Sequence, residues 1–147
     1  LASRMLVKTT EYFNINNIDV NNHQIIVQDV FLYFKEAKKQ NKKFDVVILD
    51  PPSFATSKEN KFSASKDYKN LVKSAIDITE AGGVIVCSTN CASFNMDKFK
   101  RFIDEAFIEK EKHYGILEEH TLQDDFVVID KFKEGNYLKV VFVKILS

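Results

Sequence analysis

The 147-residue sequence has only two prolines, four glycines and two cysteines, and no surplus of either charge. Each shortage excludes something. The glycines stand at 82, 83, 115 and 135, and none belongs to a Gly-x-Gly-x-x-Gly loop, so the dinucleotide-binding fingerprint is missing. Cys87 and Cys91 lie four apart with no histidine close in sequence, which argues against a Cys/His zinc site and against a disulfide framework. Twenty-one basic residues balance twenty-one acidic ones, so no global field draws the chain to nucleic acid or to an anionic membrane, and any basic binding surface has to be local. The sequence contains no apolar run of the roughly 18 residues a membrane span needs and shows no signal-peptide pattern. The expectation is a soluble chain in a reducing, cytoplasmic compartment.

What is present is ample apolar material. With 45% hydrophobic and 29% charged residues, residues 1–147 can build a core within one domain. Residues 2–16 carry Met5, Leu6, Thr9, Phe13 and Asn16 at helical spacing and end on Asn16-Asn17. The run "HQIIVQD" predicts a strand at about 24–28. Asp29 follows as an N-cap for a helix whose inner face is Val30, Phe31, Phe34 and Ala37. "FDVVIL" is apolar throughout and short, which predicts a parallel strand buried on both faces. A loop of about a dozen residues leads to a helix with Tyr68, Leu71, Val72, Ala75 and Ile78 inward, stopped by Gly82-Gly83. "VIVCSTN" is a second central strand. The next helix buries Phe99, Phe102, Ile103, Ala106 and Phe107. "YGILEEHTL" and "NYLKVVFVKIL" follow with no helix between them, an antiparallel pair at the sheet edge. Alternation of this kind predicts an α/β layered sheet with right-handed crossovers.

Ligands of open α/β sheets bind beyond the carboxyl ends of the strands. Asp29, Asp50 and Asn90 each fall at such an end. The stretch "FDVVILDPPSFATSK" is the most informative, because an apolar strand halts on one acid, two prolines and an aromatic. Pro51 and Pro52 remove two backbone donors and stiffen the loop, leaving carbonyls to accept from a ligand. Phe54 sits where a planar base could stack. The plainer alternatives are that Asp50 caps a turn and that Phe54 tucks into the core.

"DVVILDPPSF" resembles the fourth motif of the class I S-adenosylmethionine-dependent methyltransferases, the Asp-Pro-Pro-aromatic signature. With "FSASKDYKNL", "GGVIVCSTN", "MDKFKRFIDEAF" and "EGNYLKV", nearly the whole chain resembles the C-terminal catalytic half of the PUA-containing large-subunit ribosomal RNA cytosine-C5 methyltransferase family. The resemblance implies a three-layer Rossmann-like sheet, mostly parallel with an antiparallel C-terminal edge pair, and lacking its first two strands. It implies S-adenosylmethionine as cofactor and RNA as partner. Asp29 would accept from the adenine amino group, with Val30 and Leu1 against the adenine faces. Asp50 and the Pro51 carbonyl would line the methionine end, Pro52 and Phe54 would meet the target base, and Tyr68, Lys58 and Lys66 would sit on a loop facing RNA. For each lysine, a solvated surface charge is the simpler alternative.

Carbon-5 of cytosine is activated by a thiolate adding at carbon-6, and Cys91 stands close to a strand end where it could do so. Related C5 enzymes carry that cysteine in a Ser-Cys-Ser style segment, where Asn90 stands here and Cys91 falls one residue later. Cys87, inside the strand, reads as a small buried hydrophobe. Methylation of an exocyclic amino group, which needs no cysteine, suits the Asp-Pro-Pro-Phe chemistry equally. Either reaction needs the base out of its stack. A non-catalytic Rossmann-like module accounts for the sheet but gives no reason for Asp-Pro-Pro-Phe. The family's glycine-rich loop and ribose-binding acid have no counterpart in the sequence. The chain alone is therefore expected to bind S-adenosylmethionine weakly or not at all, and its open strand edges to invite homodimers or rearranged association. Micromolar affinity of the isolated chain in a calorimetric titration would refute this.

Overall fold

The structure is a computed structural model that describes residues 2–56, 61–123, 135 and 137–147. The chain divides into two compact units, Leu1–Val30 and Phe31–Ser147.

In the first unit, helix α1 spans Ala2–Ile15. It ends as the paired asparagines suggest: Asn16 Nδ2 donates to the Tyr12 carbonyl, and Asn17 takes a left-handed φ of 55°. Phe13 meets His23 edge-on at 4.9 Å. The strand expected at about 24–28 does not form. A strand is half of a hydrogen-bonded ladder, and no described segment pairs with these β-branched residues.

The second unit is built on a four-stranded sheet. After α2 (Val30–Lys39) come β1 (Phe44–Leu49), the short strands β2 (Phe54–Thr56) and β3 (Lys61–Ser63), α3 (Ala64–Ile78), β4 (Thr79–Thr89), α4 (Met96–Glu109), β5 (Tyr114–His120) and β6 (Lys139–Ile145). The sheet order is β1-β4-β6-β5. β1 and β4 are parallel, and β6 runs antiparallel between β4 and β5. The expected antiparallel C-terminal pair is thus present, and the sheet is of the mixed Rossmann-like type the sequence implied.

Register decides the core. Val47 and Leu49 of β1 pair with Ile85 and Cys87 of β4, and these pair with Val143 and Val141 of β6. All six are buried on one face. Against that face lie the inner rows of α3 (Tyr68, Leu71, Val72, Ala75, Ile78) and α4 (Phe99, Ile103, Ala106, Phe107), at the positions their helical spacing predicts. Phe102 is half-buried at the rim of this cluster. On the other face Val46 and Ile48 are 54% and 69% exposed, so the expectation that "FDVVIL" is covered on both sides is corrected: among the described residues β1 pairs with β4 alone, and this face lies open.

Two boundaries also move. The Gly82-Gly83 pair does not stop a helix. α3 ends at Ile78, where the Thr79 hydroxyl donates to the Ala75 carbonyl and the backbone turns extended. The glycines lie inside β4, in a bulge: the ladder passes from Phe44↔Thr79 to Val46↔Val84, so β4 carries surplus residues that fold out. Gly82 has φ +79°, a conformation side chains disfavour. The segment read as plain loop also contains the β2–β3 hairpin, closed by the Ala64 N–H donating to the Ser53 carbonyl. Among the described residues, no helix is long and apolar enough to cross a membrane.

Gly83 lets two strands approach. A Cβ there would lie 2.8 Å from Thr79 Cγ2 and 2.9 Å from the carbonyl oxygens of Asp45 and Glu80, whereas one on Gly115 would meet only Leu146 Cδ1 at 3.8 Å. Gly83→Ala should therefore lower the urea midpoint, by roughly 1–3 kcal/mol of overpacking strain, while Gly115→Ala leaves it nearly unchanged. Equal midpoints for the two variants would contradict the close approach.

Candidate active site

The carboxyl ends of β1 and β4 carry the polar residues that the sequence singled out. β1 stops at Leu49, and Asp50 projects beyond it, exposed. Since Leu49 is paired with Cys87, the next residues along the two parallel strands, Asp50 and Ser88, come together, and Ser88 Oγ donates to Asp50 Oδ1 at 3.1 Å. Asn90, exposed, follows the end of β4. The structure thus brings Asp50 and Asn90 to one end of the sheet. Asp29 and Val30 fall in the first unit, Asp29 directly before α2 and Val30 44% exposed at its first residue.

Pro51 is half-buried, Pro52 is exposed, and Phe54 opens β2 with 72% of its surface accessible. The alternative that Phe54 tucks into the core is therefore set aside. An aromatic ring left in water on a short hairpin, next to a donor-poor Pro-Pro turn, offers a face for stacking. Leu1 and Lys58 lie outside the described residues, as do Glu134 and Asn136 of "EGNYLKV". Lys66 is exposed on α3.

Tyr68 is the clearest correction. Expected on a loop facing RNA, it lies inside α3 with no accessible surface. Its spacing with Leu71, Val72 and Ala75 puts it on the buried stripe, and its ring meets Phe99 edge-on at 4.8 Å. The hydroxyl donates to the Ser88 carbonyl at 2.8 Å and lies 3.4 Å from the Leu49 carbonyl. Burial first, then the nearby Cys87 and Asp50, push the phenol well above its ordinary range, so it stays a donor. Tyr68 thus holds the Ser88 backbone, and the Ser88 side chain holds Asp50.

Sequence reasoning missed Ser88. The polar triplet Ser88-Thr89-Asn90 after the apolar "VIVC" run was the available signal. It also missed Lys139, at the start of β6 and only 4% exposed. Its register partner is Thr89, whose hydroxyl oxygen accepts from the Cys91 N–H at 3.2 Å. The Lys139 ammonium donates to the Tyr137 carbonyl at 2.7 Å and sits 5.3 Å from the centre of the Phe94 ring. Burial draws its pKa down, and Cys91 opposes this. Cys91 itself is 3% exposed, with Sγ 3.1 Å from Ser93 Oγ.

Cys87 is fully buried in β4, and burial pushes its thiol up to about 12, with the nearby Tyr68 opposing this only in part. It is neutral and inert, as expected of a small core residue. A raised folded-state pKa means that the native state keeps a proton which the unfolded state loses from about pH 9. The stabilising contribution is full below pH 9 and declines as pH rises toward about 12. Chemical denaturation between those values should show falling stability, with a shallower fall in Cys87→Ala once its lower baseline is subtracted. Parallel curves would remove Cys87 as a cause.

No protein-family model matches the chain. Among curated proteins, YwbD of Bacillus subtilis, provisionally named a ribosomal RNA large subunit methyltransferase, is 55% identical over 144 residues, covering 98% of this chain and 36% of that protein. Ribosomal RNA large subunit methyltransferase I of Aeromonas salmonicida is 31% identical over 144 residues, with the same coverage of 98% and 36%. Among solved structures, SMU.776, provisionally described as a methyltransferase and crystallised with SAH, superposes with a TM-score of 0.83 at 38% identity, covering 92% of this chain and 35% of that one. The chain spans about a third of the length of these relatives. In sequence it is similar to about a third of the length of proteins named as ribosomal RNA large subunit methyltransferases, and in fold to a solved methyltransferase structure.

Proposed function

We propose that the chain is the C-terminal portion of the catalytic domain of an S-adenosylmethionine-dependent methyltransferase acting on large-subunit ribosomal RNA. The observation that carries this reading is the Asp50-Pro51-Pro52-Ser53-Phe54 turn, with Asp50, Pro52 and Phe54 exposed, at the open strand ends of a chain so similar to YwbD.

The residues present fit one half of the cofactor. Asp50 and the Pro51 carbonyl offer acceptors at the strand end, suited to the methionine part, and Asp29, with Val30 and Leu1, is assigned to the adenine. The glycine-rich loop of such enzymes has no counterpart among the glycines of the sequence. When bound, S-adenosylmethionine supplies an electrophilic methyl group. This chain's residues orient the acceptor: Pro52 and Phe54 hold a base taken out of its stack, and Lys58 is assigned to RNA binding by the family resemblance alone. Tyr68, being buried, acts through Ser88 on the position of Asp50 and touches no RNA.

The finer assignment is cytosine carbon-5. In that route the Cys91 thiolate adds to carbon-6, carbon-5 takes the methyl, the carbon-5 proton leaves to a base such as Asp50, and the sulfur–carbon bond breaks to regenerate the thiolate. The family resemblance and the place of Cys91 just past β4 support it. One observation favours a second reading: Cys91 is 3% exposed, whereas Asp50 and Phe54 are open. Amino-group methylation needs only the latter two.

The deciding experiment is methyl transfer from labelled S-adenosylmethionine to undermethylated ribosomal RNA by the full-length protein and its Cys91→Ser and Phe54→Ala variants. Phe54→Ala should lose on the order of 10- to 100-fold in kcat/KM, the equivalent of one stacking interaction of about 1–3 kcal/mol. For the carbon-5 route, Cys91→Ser abolishes label at cytosine C5. A fully active Cys91→Ser variant assigns the reaction to an amino group, and an inactive wild type defeats the methyltransferase reading.

A further inference from the structure

At the opposite end of the sheet, α2, α3 and α4 end together around a cavity of about 290 Å³. Lys38 reaches it from the last turn of α2, Lys43 from the residue before β1, and Lys110 and Lys112 from the segment leading into β5. Asp77 is the one carboxylate among the lining residues. In a chain with no net charge, this is a marked local concentration.

Part of that charge is already matched. Asp77 accepts from Lys110 at 2.6 Å and from Lys38 at 2.8 Å. Burial would raise its pKa, but the hydrogen bonds of these two lysines outweigh burial and hold the carboxylate low. Lys43 Nζ donates to the Asp77 carbonyl at 2.8 Å, capping the last turn of α3. The plainest account is that all four lysines neutralise helix ends. Each helix carboxyl end is worth about half a negative charge, so three ends and Asp77 offset roughly two and a half of four positive charges. About one and a half remain, enough to meet the single negative charge of an RNA phosphodiester.

Resting on the reading of the chain as an RNA methyltransferase, we propose that this lysine-lined cavity binds a backbone phosphate of the RNA, away from the methylated base. The six residues of β1 separate it from Asp50 by about 20 Å, on the order of six stacked nucleotides. An RNA segment can therefore engage both ends of the sheet. Phosphate contacts of this kind position the substrate without reading sequence.

The test is equilibrium binding of a ribosomal RNA fragment across a potassium chloride series, using the full-length protein and its Lys43→Gln/Lys112→Gln variant. This pair spares both lysines that hold the Asp77 carboxylate, and circular dichroism verifies the fold. The variant should bind more weakly, with a salt slope about 0.7–0.9 shallower for each phosphate that is no longer neutralised. Inorganic phosphate should weaken RNA binding by the wild type more than by the variant. An unchanged affinity and slope would overturn the proposal and leave the lysines as helix caps. If wild type binds no RNA while phosphate alone shields Lys112 from acetylation, the cavity is a small-anion site and the RNA assignment fails. Methyl transfer at saturating RNA should have the same kcat in both proteins. Its absence from the wild type would count against the methyltransferase reading alone, since the salt-slope comparison stands without it.

Discussion

The hydroxyl of Tyr68 is where the packing of this fold and the arrangement of its candidate site meet. A phenol with no accessible surface has one proton to give, and leaving it unmatched would cost roughly 1–3 kcal/mol. Here it goes chiefly to the Ser88 carbonyl, with the Leu49 carbonyl farther off. Those carbonyls belong to β4 and β1 at the point where both strands run out. The same bond that satisfies a buried donor therefore fixes where the strand ends lie, and the Ser88 side chain then holds one oxygen of Asp50. The ring is held in turn by Phe99, so α4 takes part in the same support.

This arrangement gives the sheet two unlike ends. At the carboxyl ends of β1 and β4 an acid, two prolines and an open aromatic stand beyond the last paired residues, with few donors on the backbone between them. At the other end three helices finish together, and their partial negative charge gathers lysines. A neutral chain can thus present acceptor chemistry on one side and cationic surface on the other, with no net field of its own.

Much of this was legible in one dimension. The apolar rows of α3 and α4 repeat at helical spacing, and their buried members are those the spacing selects, because a helix has one face to bury whatever it meets. Asp50 and Asn90 stand where apolar runs stop, so their places at strand ends followed directly. The run at 24–28 shows where such reading fails. Its β-branched residues favour an extended backbone, yet pairing depends on a neighbour that local sequence does not specify. The glycines at 82 and 83 misled for a related reason: a helix stop and a β-bulge both need a residue tolerant of positive φ, and only the register between β1 and β4 distinguishes them. Tyr68 carried both readings at once, a polar group and a member of the apolar stripe.

By itself, then, the sequence determined the alternation of helix and strand, the faces to be buried, and the acid-proline-proline-aromatic turn that marks the candidate site, since these depend on residue type and spacing along the chain. Only the tertiary structure decided that the Tyr68 hydroxyl meets the Ser88 carbonyl, that Ser88 orients Asp50, that Cys91 is covered and that Lys139 stands opposite Thr89. Each of those depends on residues far apart in the chain, whose meeting is set by strand register and helix packing.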